Sequence, residues 1–367
     1  MIGAPGMRRW PESHTICTDE VDVTAGASKK AQFLRDHPSL VLFRPSEPDE
    51  LRKYLVERGL IAPEDLPLRV TRAGDGNMNC TLRVVTPRRR LIVKQARPWV
   101  EKYDHIAAPW DRSHVEAAFY ESVVGVSGVG DRMPGLLHVD AENRALVFED
   151  LGDGGDLTSM YRGERLADAD ADVLTDYLVR LRRVEVPAHL RHLLRNREMR
   201  ALNHEHIFHF PLVEANGLAL DGITPGLQAA ADALKRDVPL VERIAELGAR
   251  YLADGQVLVH GDYFPGSWVK TGRGVAVIDP EFCFLGIAEV DVGVMLAHLM
   301  MCGEESGRID AVERAAASDG VDWTLTGQLA GVEIMRRLIG VAQLPLEASL
   351  GRKQELLDRA RQMVLAA

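Results

Sequence analysis

In the stretch VLVHGDYFPGSWVK, residues 257–270, a short apolar run leads directly into a His-Gly-Asp triplet that ends at Asp262. The stretch VAVIDPEF, residues 275–282, repeats the pattern, because an apolar run typical of a buried strand leads into Asp279 and Glu281. A carboxylate at the end of a buried strand is partly dehydrated, which costs free energy unless a cation or a reacting proton compensates it. We therefore expect a site at the ends of these two strands, in which the three acids hold a cation or a proton.

The composition excludes several classes of function. The 367 residues are 46% hydrophobic and 27% charged, which is enough for a large core and two lobes. A net charge of −10 argues against nonspecific binding to nucleic acid, because that binding depends on clustered lysine and arginine. We expect no membrane partner, since no apolar run reaches the roughly 18 residues of a membrane helix, and no secretory signal at the start. Four cysteines without a CxxC pair predict a reduced, cytoplasmic protein without a zinc site or a disulfide framework.

The first half of the chain shows both strand and helix patterns. Residues 1–38 have little periodicity and are expected to form an N-terminal extension. Apolar spacing predicts a helix in EPDELRKYLVERGL, residues 47–60. Residues 68–96 predict three strands joined by a tight turn and a basic turn, residues 113–124 a helix, and ALVFED, residues 145–150, a further strand.

The Gly-rich stretch LGDGGD marks the predicted boundary between two lobes. We expect an N-lobe at residues 39–152 and a C-lobe at residues 153–367. Helical patterns dominate the C-lobe and lie in residues 172–184, 226–255 and 289–301. A small antiparallel β-sheet with one helix, followed by a larger, mostly helical part, is the α+β layout of the bilobal protein-kinase-like fold. On that layout the N-lobe is nucleotide-binding and the C-lobe is catalytic and acceptor-binding.

Phosphoryl transfer from a nucleotide requires a loop over the phosphates, a lysine that binds them, acids for Mg²⁺ and a carboxylate at the attacking hydroxyl. The stretch AGDGNMN, residues 73–79, is a candidate for the loop. Gly74 and Gly76 permit unusual backbone geometry, and Asn77 and Asn79 add amide donors. An ordinary hairpin turn is the alternative, because Asp-Gly is a common hairpin signal.

Lys94, in the apolar stretch LIVKQA, is the candidate lysine. A lysine in a buried strand needs a charged partner, and Glu116 on the following predicted helix is the natural one. Such a pair would hold the amine against the phosphates of the nucleotide. The alternative is a lysine at the edge of the strand that reaches solvent.

The acids of the first two stretches fit the remaining roles. Asp262 would accept or orient the proton of the substrate hydroxyl, and Ser267, Asp279 and Glu281 would serve Mg²⁺ through hard oxygen ligands. Ordinary surface turns are the alternative interpretation of these acids. Asp291, at the start of a helical segment, either caps that helix or bonds back to the loop of Asp262.

These features resemble the aminoglycoside phosphotransferase-like kinase superfamily and, within it, the branch of the 5-methylthioribose kinases. The resemblance lies in GDGNMN, IVKQARPWV, HGD followed by GS, DPEFCFLG and RRLIG. It implies ATP and Mg²⁺ as cofactors and a small hydroxylated molecule as acceptor. The family's habit also suggests a homodimer.

The resemblance assigns further roles by position. Arg336 and Arg337 match an arginine pair that contacts the sugar, and Glu149 lies at the strand end that matches the hinge near adenine. Guanidinium groups suit ligands rich in oxygen. Because adjacent helical residues point about 100° apart, one arginine can face the cleft while the other reaches its rim, and only a cleft at the end or side of the helix would use both. The resemblance implies the second geometry. Without the resemblance, an alternative interpretation of the pair stays open, in which one arginine is solvated and the other is paired to Glu333.

Two loops depart from the family's pattern. Tyr263 and Phe264 are bulkier and less polar than the residues that follow the catalytic aspartate in the family, and Glu289 stands where a neutral residue is expected. Both loops are expected near the acceptor, which makes Tyr263 a candidate contact with the substrate. The expected reaction is phosphorylation of the 1-hydroxyl of 5-methylthioribose. The alternatives are another sugar, an aminoglycoside-type antibiotic, or a nucleotide-binding module without catalysis.

Overall fold

The computed structural model describes residues 32–74, 78–304, 306–317 and 320–366, with only the backbone for residues 103–105. Most of the predicted extension therefore lies outside the described residues, as do Gly76 and Asn77 of the predicted loop.

The N-lobe contains a five-stranded sheet, a short hairpin and two helices. The strands of the sheet are β1 (Arg69–Arg72), β2 (Cys80–Val85), β3 (Arg90–Gln95), β6 (Leu136–Asp140) and β7 (Ala145–Glu149). The hairpin and the helices are β4 (Trp99–Val100), β5 (Tyr103–Ala107), α1 (Pro48–Glu57) and α2 (Arg112–Val123). The sheet is antiparallel with the strand order β1-β2-β3-β7-β6. The sequence predicted all of these elements except β4, β5 and β6, which are short and carry no clear turn or periodicity signal.

The position of β3 inside the sheet explains why Lys94 is buried. Leu82 and Val84 alternate with half-buried residues along β2 and pack in one core with Leu51 and Leu55 of α1. Strand β3 lies between β2 and β7, so Lys94 has a neighbouring strand on each side. A lysine in a central strand cannot reach solvent at a sheet edge.

The C-lobe is mostly helical. Its helices are α3 (Asp168–Leu181), α4 (Arg197–His204), α5 (Leu227–Lys235), α6 (Val238–Leu252), α7 (Glu289–Met301), α8 (Ser306–Ala317), α9 (Trp323–Ile339) and α10 (Leu350–Val364). The long helix α9 packs against α7 and α10. Residues 226–255 contain two helices, because Asp237 ends the first and caps the second by accepting a hydrogen bond from the backbone N–H of Leu240.

Two small strand pairs carry the acids. They are β8 (Val257–Val259) with β11 (Phe284–Gly286), and β9 (Trp268–Thr271) with β10 (Gly274–Val277). Strands β8 and β10, whose ends lead into the acids, belong to separate antiparallel pairs. The bilobal α+β fold class itself is confirmed.

Helices of the described part of the chain are all too short or too polar to cross a bilayer. Cys80, Cys283 and Cys302 are free thiols, and Cys17 lies outside the described residues.

Candidate active site

Lys94 bridges carboxylates from both lobes. Its Nζ donates to Glu116 Oε1 at 3.0 Å and to Asp279 Oδ1 at 2.7 Å. Burial alone lowers the pKa of Lys94, but Asp279 and Glu116 outweigh this effect and hold the pKa above its usual range. The structure therefore brings Lys94 together with its predicted partner Glu116, and it adds Asp279, an acid predicted to serve Mg²⁺. It excludes the alternative of a lysine that reaches solvent at a strand edge.

The backbone at Asp279 is held in an uncommon conformation. Its φ of 63° and ψ of 53° lie in the left-handed region, which non-glycine residues rarely adopt. Pro280 follows and opens a short 3₁₀ turn that ends at Phe282. The side chain of Asp279 is half exposed, whereas that of Glu281 is buried. Uncommon backbone conformations of this kind concentrate at functional sites, and here the turn directs two acids toward one cleft.

Glu281 is held from the N-lobe by Asn79 and Arg112. Asn79 Nδ2 donates to Glu281 Oε2 at 2.6 Å, and Asn79 Oδ1 accepts from Arg112 Nε at 2.8 Å. Arg112 Nε is itself 3.7 Å from Glu281 Oε2. Burial raises the pKa of Glu281, while Lys94 opposes the rise. The last residue of the predicted glycine-rich loop is thus bonded directly to one of the predicted metal-binding acids.

Asp291 fixes the backbone of the loop that carries Asp262. Its two carboxylate oxygens accept hydrogen bonds from the backbone N–H groups of His260, at 2.6 Å, and Gly261, at 2.9 Å. Of the two alternatives for Asp291, the structure shows the bond back to this loop. Gly261 has a φ of +86°, and a Cβ there would lie 2.3 Å from the carbonyl oxygen of Phe282, so only glycine fits.

Asp262 is held by both predicted arginines. Arg337 Nη2 donates to Asp262 Oδ1 at 2.9 Å, and Arg336 Nη1 lies 3.5 Å from the same oxygen. Glu333, one turn earlier on α9, binds both arginines, with Arg337 Nε at 2.6 Å and Arg336 Nη1 at 3.0 Å. Of the two geometries that helical spacing left open, the structure shows the one in which both arginines are used. Both side chains are largely buried, and both contact the carboxylate of Asp262.

Charge pairing keeps this cluster ionised. Burial alone raises the pKa of Glu333, but Arg336 and Arg337 outweigh it and hold the pKa well below its usual range. A buried carboxylate flanked by two guanidinium groups is the arrangement in which ionised side chains are tolerated away from water. The side chains of Asp262 and Glu333 balance the two positive charges.

The hydroxyl of Ser267 supports the catalytic loop. Ser267 is buried, and its Oγ donates to the backbone carbonyl of Asp262 at 2.9 Å. This bond closes the loop five residues after the aspartate. A contact of Ser267 with a metal stays a prediction.

Two residues of the unusual loops, Tyr263 and Glu289, are placed differently from the expectation, whereas Phe264 is not. Tyr263 is fully buried, and its hydroxyl donates to the carbonyl of Leu174 at 2.8 Å, so the expected contact with substrate does not fit this structure. Glu289 accepts from the backbone N–H of Asp322 at 3.0 Å, at the start of α9. Phe264 packs its ring beneath the guanidinium of Arg337, with 4.6 Å from Cζ to the ring centroid. Only Phe264 therefore adjoins the charged cluster.

Glu149 ends β7 with its side chain exposed. Its backbone N–H donates to the carbonyl of Gly135 at 2.9 Å. The neighbouring Asp150 accepts from Arg83 and Arg90, which anchors this strand end. The role of Glu149 near adenine stays a prediction.

Sequence reasoning did not identify Arg112 or His298. Arg112 sits at the first position of α2, and His298 lies inside the apolar helix α7, where a histidine is usually a core residue. No local pattern marks either residue, because their partners come from distant parts of the chain. In the sequence, the only available signal for such a residue is a charged side chain or an imidazole within an otherwise apolar helix face.

The sequence profile of the phosphotransferase enzyme family APH matches residues 69–326, a span that includes Lys94, the loop of Asp262, and Asp279 and Glu281. The chain belongs to this family. It is therefore a phosphotransferase of the small-molecule kinase type, with a hydroxyl group as acceptor.

Two curated relatives of this phosphotransferase are named methylthioribose kinase. A methylthioribose kinase of Exiguobacterium sibiricum is 29% identical over 333 residues, which cover 77% of this chain and 82% of that protein. A methylthioribose kinase of Escherichia coli is 26% identical over 299 residues, which cover 77% of this chain and 70% of that protein.

Solved structures share the fold of the phosphotransferase. An ethanolamine kinase of Plasmodium vivax superposes with a TM-score of 0.52 at 12% identity and covers 94% of this chain and 95% of its own. A choline kinase of Cryptosporidium parvum gives a TM-score of 0.52 at 14% identity, with 86% and 96% covered. At this identity the likeness concerns the fold alone.

Proposed function

We propose that this phosphotransferase transfers the γ-phosphoryl group of ATP, with Mg²⁺, to the 1-hydroxyl of 5-methylthioribose. The observation that carries the proposal is the contact of Arg336 and Arg337 with Asp262, because it places two guanidinium groups beside the carboxylate that meets the acceptor. The names of the curated relatives point to the same acceptor.

The nucleotide end of the site fits a metal–nucleotide complex. Lys94 is charged and lies between the lobes, where it can bind phosphate oxygens. Asp279 and Glu281 would hold Mg²⁺, whose hard-oxygen chemistry suits one or two carboxylates together with substrate phosphates. Their fit is supported by Glu281, whose buried carboxylate gains from a nearby cation. Bound Mg²⁺ would neutralise charge that develops on the transferred group.

Asp262 supplies the proton acceptor. Among the described residues, both arginine contacts of Asp262 fall on Oδ1, which leaves Oδ2 for the acceptor hydroxyl. As the hydroxyl oxygen attacks the γ-phosphorus, the bond to the β-phosphate oxygen breaks and the hydroxyl proton passes to Oδ2. The arginines fix the orientation of the carboxylate so that little reorganisation is needed during transfer.

Charge at the acceptor end favours a sugar over a polycationic antibiotic. Arg336 and Arg337 balance Asp262 and Glu333, so this part of the cleft has no excess of acids to attract several ammonium groups. Glu289, which could have added negative charge, is bonded to the start of α9 instead. An aminoglycoside acceptor is therefore the weaker candidate. A module without catalysis is weaker still, because Lys94 is paired with Glu116 and Asp279, and Asp262 is bound by both arginines.

An ATP-consumption screen tests the proposal. The purified enzyme is given ATP and Mg²⁺ with methylthioribose, ribose, other pentoses or an aminoglycoside, and ADP formation is followed by a coupled assay. We expect methylthioribose to give the highest kcat/KM, and ³¹P NMR to show a sugar 1-phosphate. The Asp262→Asn variant measures background hydrolysis. Turnover of another polyol with methylthioribose inert would overturn the acceptor assignment.

The cytoplasmic location and the homodimer, both expected from the sequence, stay predictions. Sedimentation of the purified protein measures the oligomeric state directly.

A further inference from the structure

A buried chain of side chains lies behind Asp262. The hydroxyl of Tyr161 is 2.6 Å from His298 Nδ1, and His298 Nε2 is 3.2 Å from Glu333 Oε1. Glu333 Oε1 accepts from Arg337 Nε at 2.6 Å, and Arg337 Nη2 donates to Asp262 Oδ1 at 2.9 Å. Tyr161, His298 and Glu333 are each no more than 2% exposed. The chain therefore connects a tyrosine of the C-lobe core to the catalytic carboxylate without passing through solvent.

The surroundings determine the tautomer of His298. Arg336 and Arg337 donate to both oxygens of Glu333, so Glu333 is an ionised carboxylate that can only accept hydrogen bonds. The nitrogen that faces Glu333, Nε2, must then carry the proton of the imidazole. Burial lowers the pKa of His298 to about 4, so the ring is neutral and Nδ1 is an acceptor. The hydroxyl of Tyr161 is left as the donor to Nδ1.

We propose that Tyr161 and His298 are positioning residues for phosphoryl transfer, which fix Glu333 and, through it, the two arginines that orient Asp262. Without the hydroxyl of Tyr161, Nδ1 loses the donor that supports the Nε2–H tautomer, and the other tautomer becomes more accessible. In that tautomer the lone pair of Nε2 faces the carboxylate of Glu333, which repels it. Glu333 could then move away, and Arg337 would follow it. The inference rests on the proposed role of Asp262 but not on the identity of the acceptor.

Packing supports a role beyond filling space. The ring of Phe264, two residues after Asp262, lies 5.3 Å from the ring of His298 and covers the guanidinium of Arg337. The catalytic loop therefore contacts the chain at Asp262 and again at Phe264. An imidazole with a purely structural role could be replaced by an apolar side chain of similar volume with little effect on catalysis.

The tautomer of His298 is measured without any acceptor. Long-range ¹H–¹⁵N spectra of the ¹⁵N-histidine protein distinguish a protonated ring nitrogen from an unprotonated one, and the signals lost in His298→Gln assign this residue among the 12 histidines. We expect the neutral Nε2–H form in the wild type. A wild-type ring protonated at Nδ1 overturns the proposal. This result is independent of turnover, so failure of methylthioribose as the acceptor would contradict the proposed function and leave the tautomer test standing.

Kinetics separates positioning from structure. A glutamine at 298 can place an N–H near Nε2, so His298→Gln is expected to keep kcat within about threefold of wild type, whereas His298→Leu lowers kcat roughly 10²-fold. Tyr161→Phe is expected to lower kcat roughly tenfold, the scale of one lost hydrogen bond. KM for ATP stays unchanged in all three. The matched control is Tyr177→Phe, because Tyr177 is equally buried but its hydroxyl donates to the sulfur of Met133. Equal kcat values for Tyr161→Phe and Tyr177→Phe would refute the positioning role, whether or not His298→Leu folds.

Discussion

Replacement of Arg112 by methionine should destabilise the enzyme more than almost any other single change in the N-lobe. The guanidinium of Arg112 is 1% exposed and donates to the backbone carbonyls of Arg97, at 2.7 Å, and of Pro109 and Met78, both at 2.8 Å. It also donates to Asn79 Oδ1 at 2.8 Å. One side chain therefore ties helix α2 to the base of the glycine-rich loop.

The expected loss of stability in Arg112→Met follows from the buried groups that lose their hydrogen-bond or charge partner. A buried carbonyl without its donor costs about 1–3 kcal/mol. Glu281 also loses the cation 3.7 Å away but keeps Lys94 nearby, so this loss stays below the cost of an uncompensated buried charge, about 3–5 kcal/mol. These contributions overlap, because the loop relaxes and water enters, so we expect a loss of about 4 kcal/mol from a total stability on the order of 5–15 kcal/mol. At roughly 2–4 °C per kcal/mol for a large domain, Tm falls by about 8–16 °C.

Thermal unfolding followed by circular dichroism measures this shift. Arg72→Met is the matched control, since Arg72 pairs with Glu101 at 3.3 Å from an exposed position, and such surface pairs contribute about 0–1 kcal/mol. Because Arg112 also fixes Asn79, the folded fraction of Arg112→Met should show a raised KM for ATP and an unchanged KM for the acceptor. If Arg112→Met melts within about 3 °C of Arg72→Met, the account of the buried guanidinium is wrong.

Other perturbations test the remaining parts of the site. Asp262→Asn should lower kcat at least roughly 10²-fold while KM for ATP barely changes, and a pure effect on KM for ATP would contradict its role as base. Asp279→Ala should abolish Mg²⁺-dependent turnover in a folded protein, and near-wild-type rates would disprove the metal assignment. Arg337→Met should lower kcat, since it removes the donor to Asp262 Oδ1, and steady-state kinetics with both substrates varied would show unchanged KM for ATP. Burial lowers the pKa of His260 from 6.5 to about 4, so the unfolded chain binds more protons between these pH values and stability should fall as pH drops from about 6.5 to about 4. Urea midpoints at several pH values measure this loss of stability. The loss should be smaller in His260→Gln and unchanged in the control His189→Gln, which alters an exposed histidine.

The sequence was sufficient to predict the residues that lie on or directly after strands. Lys94 interrupts an apolar strand, and Asp262, Asp279 and Glu281 each follow one, so burial and charge conflict locally and the conflict is visible in the sequence. Glu116 could be found because a buried lysine needs a partner on the next helix. In these cases the structure places the side chains in one cleft.

The sequence was insufficient wherever the deciding contact is long-range. The hydroxyl of Tyr263 binds the carbonyl of Leu174, 89 residues away, and no local pattern shows that this tyrosine points into the core. Arg112 meets the loop across 33 residues at Asn79. Helical spacing alone indicated that Arg336 and Arg337 diverge, but both side chains are long enough to bend toward one carboxylate. Such contacts depend on how the lobes pack.

The bridge from Lys94 to Asp279 has a consequence for the order in which ligands enter. If Lys94 binds the nucleotide as proposed, the phosphates and Asp279 would compete for the same ammonium group, and Glu281 lies close by as a second negative charge. Unchelated ATP would add further negative charges to this acidic pocket without bringing a countercharge of its own. A nucleotide that arrives already complexed to a divalent ion brings a new cation for Asp279. Lys94 can then leave Asp279 for the phosphates while Asp279 binds the divalent ion, so each charge keeps a partner of opposite sign. We therefore expect free ATP to bind weakly and to behave as a poor competitor of its own metal complex, as titration calorimetry with and without chelator can measure.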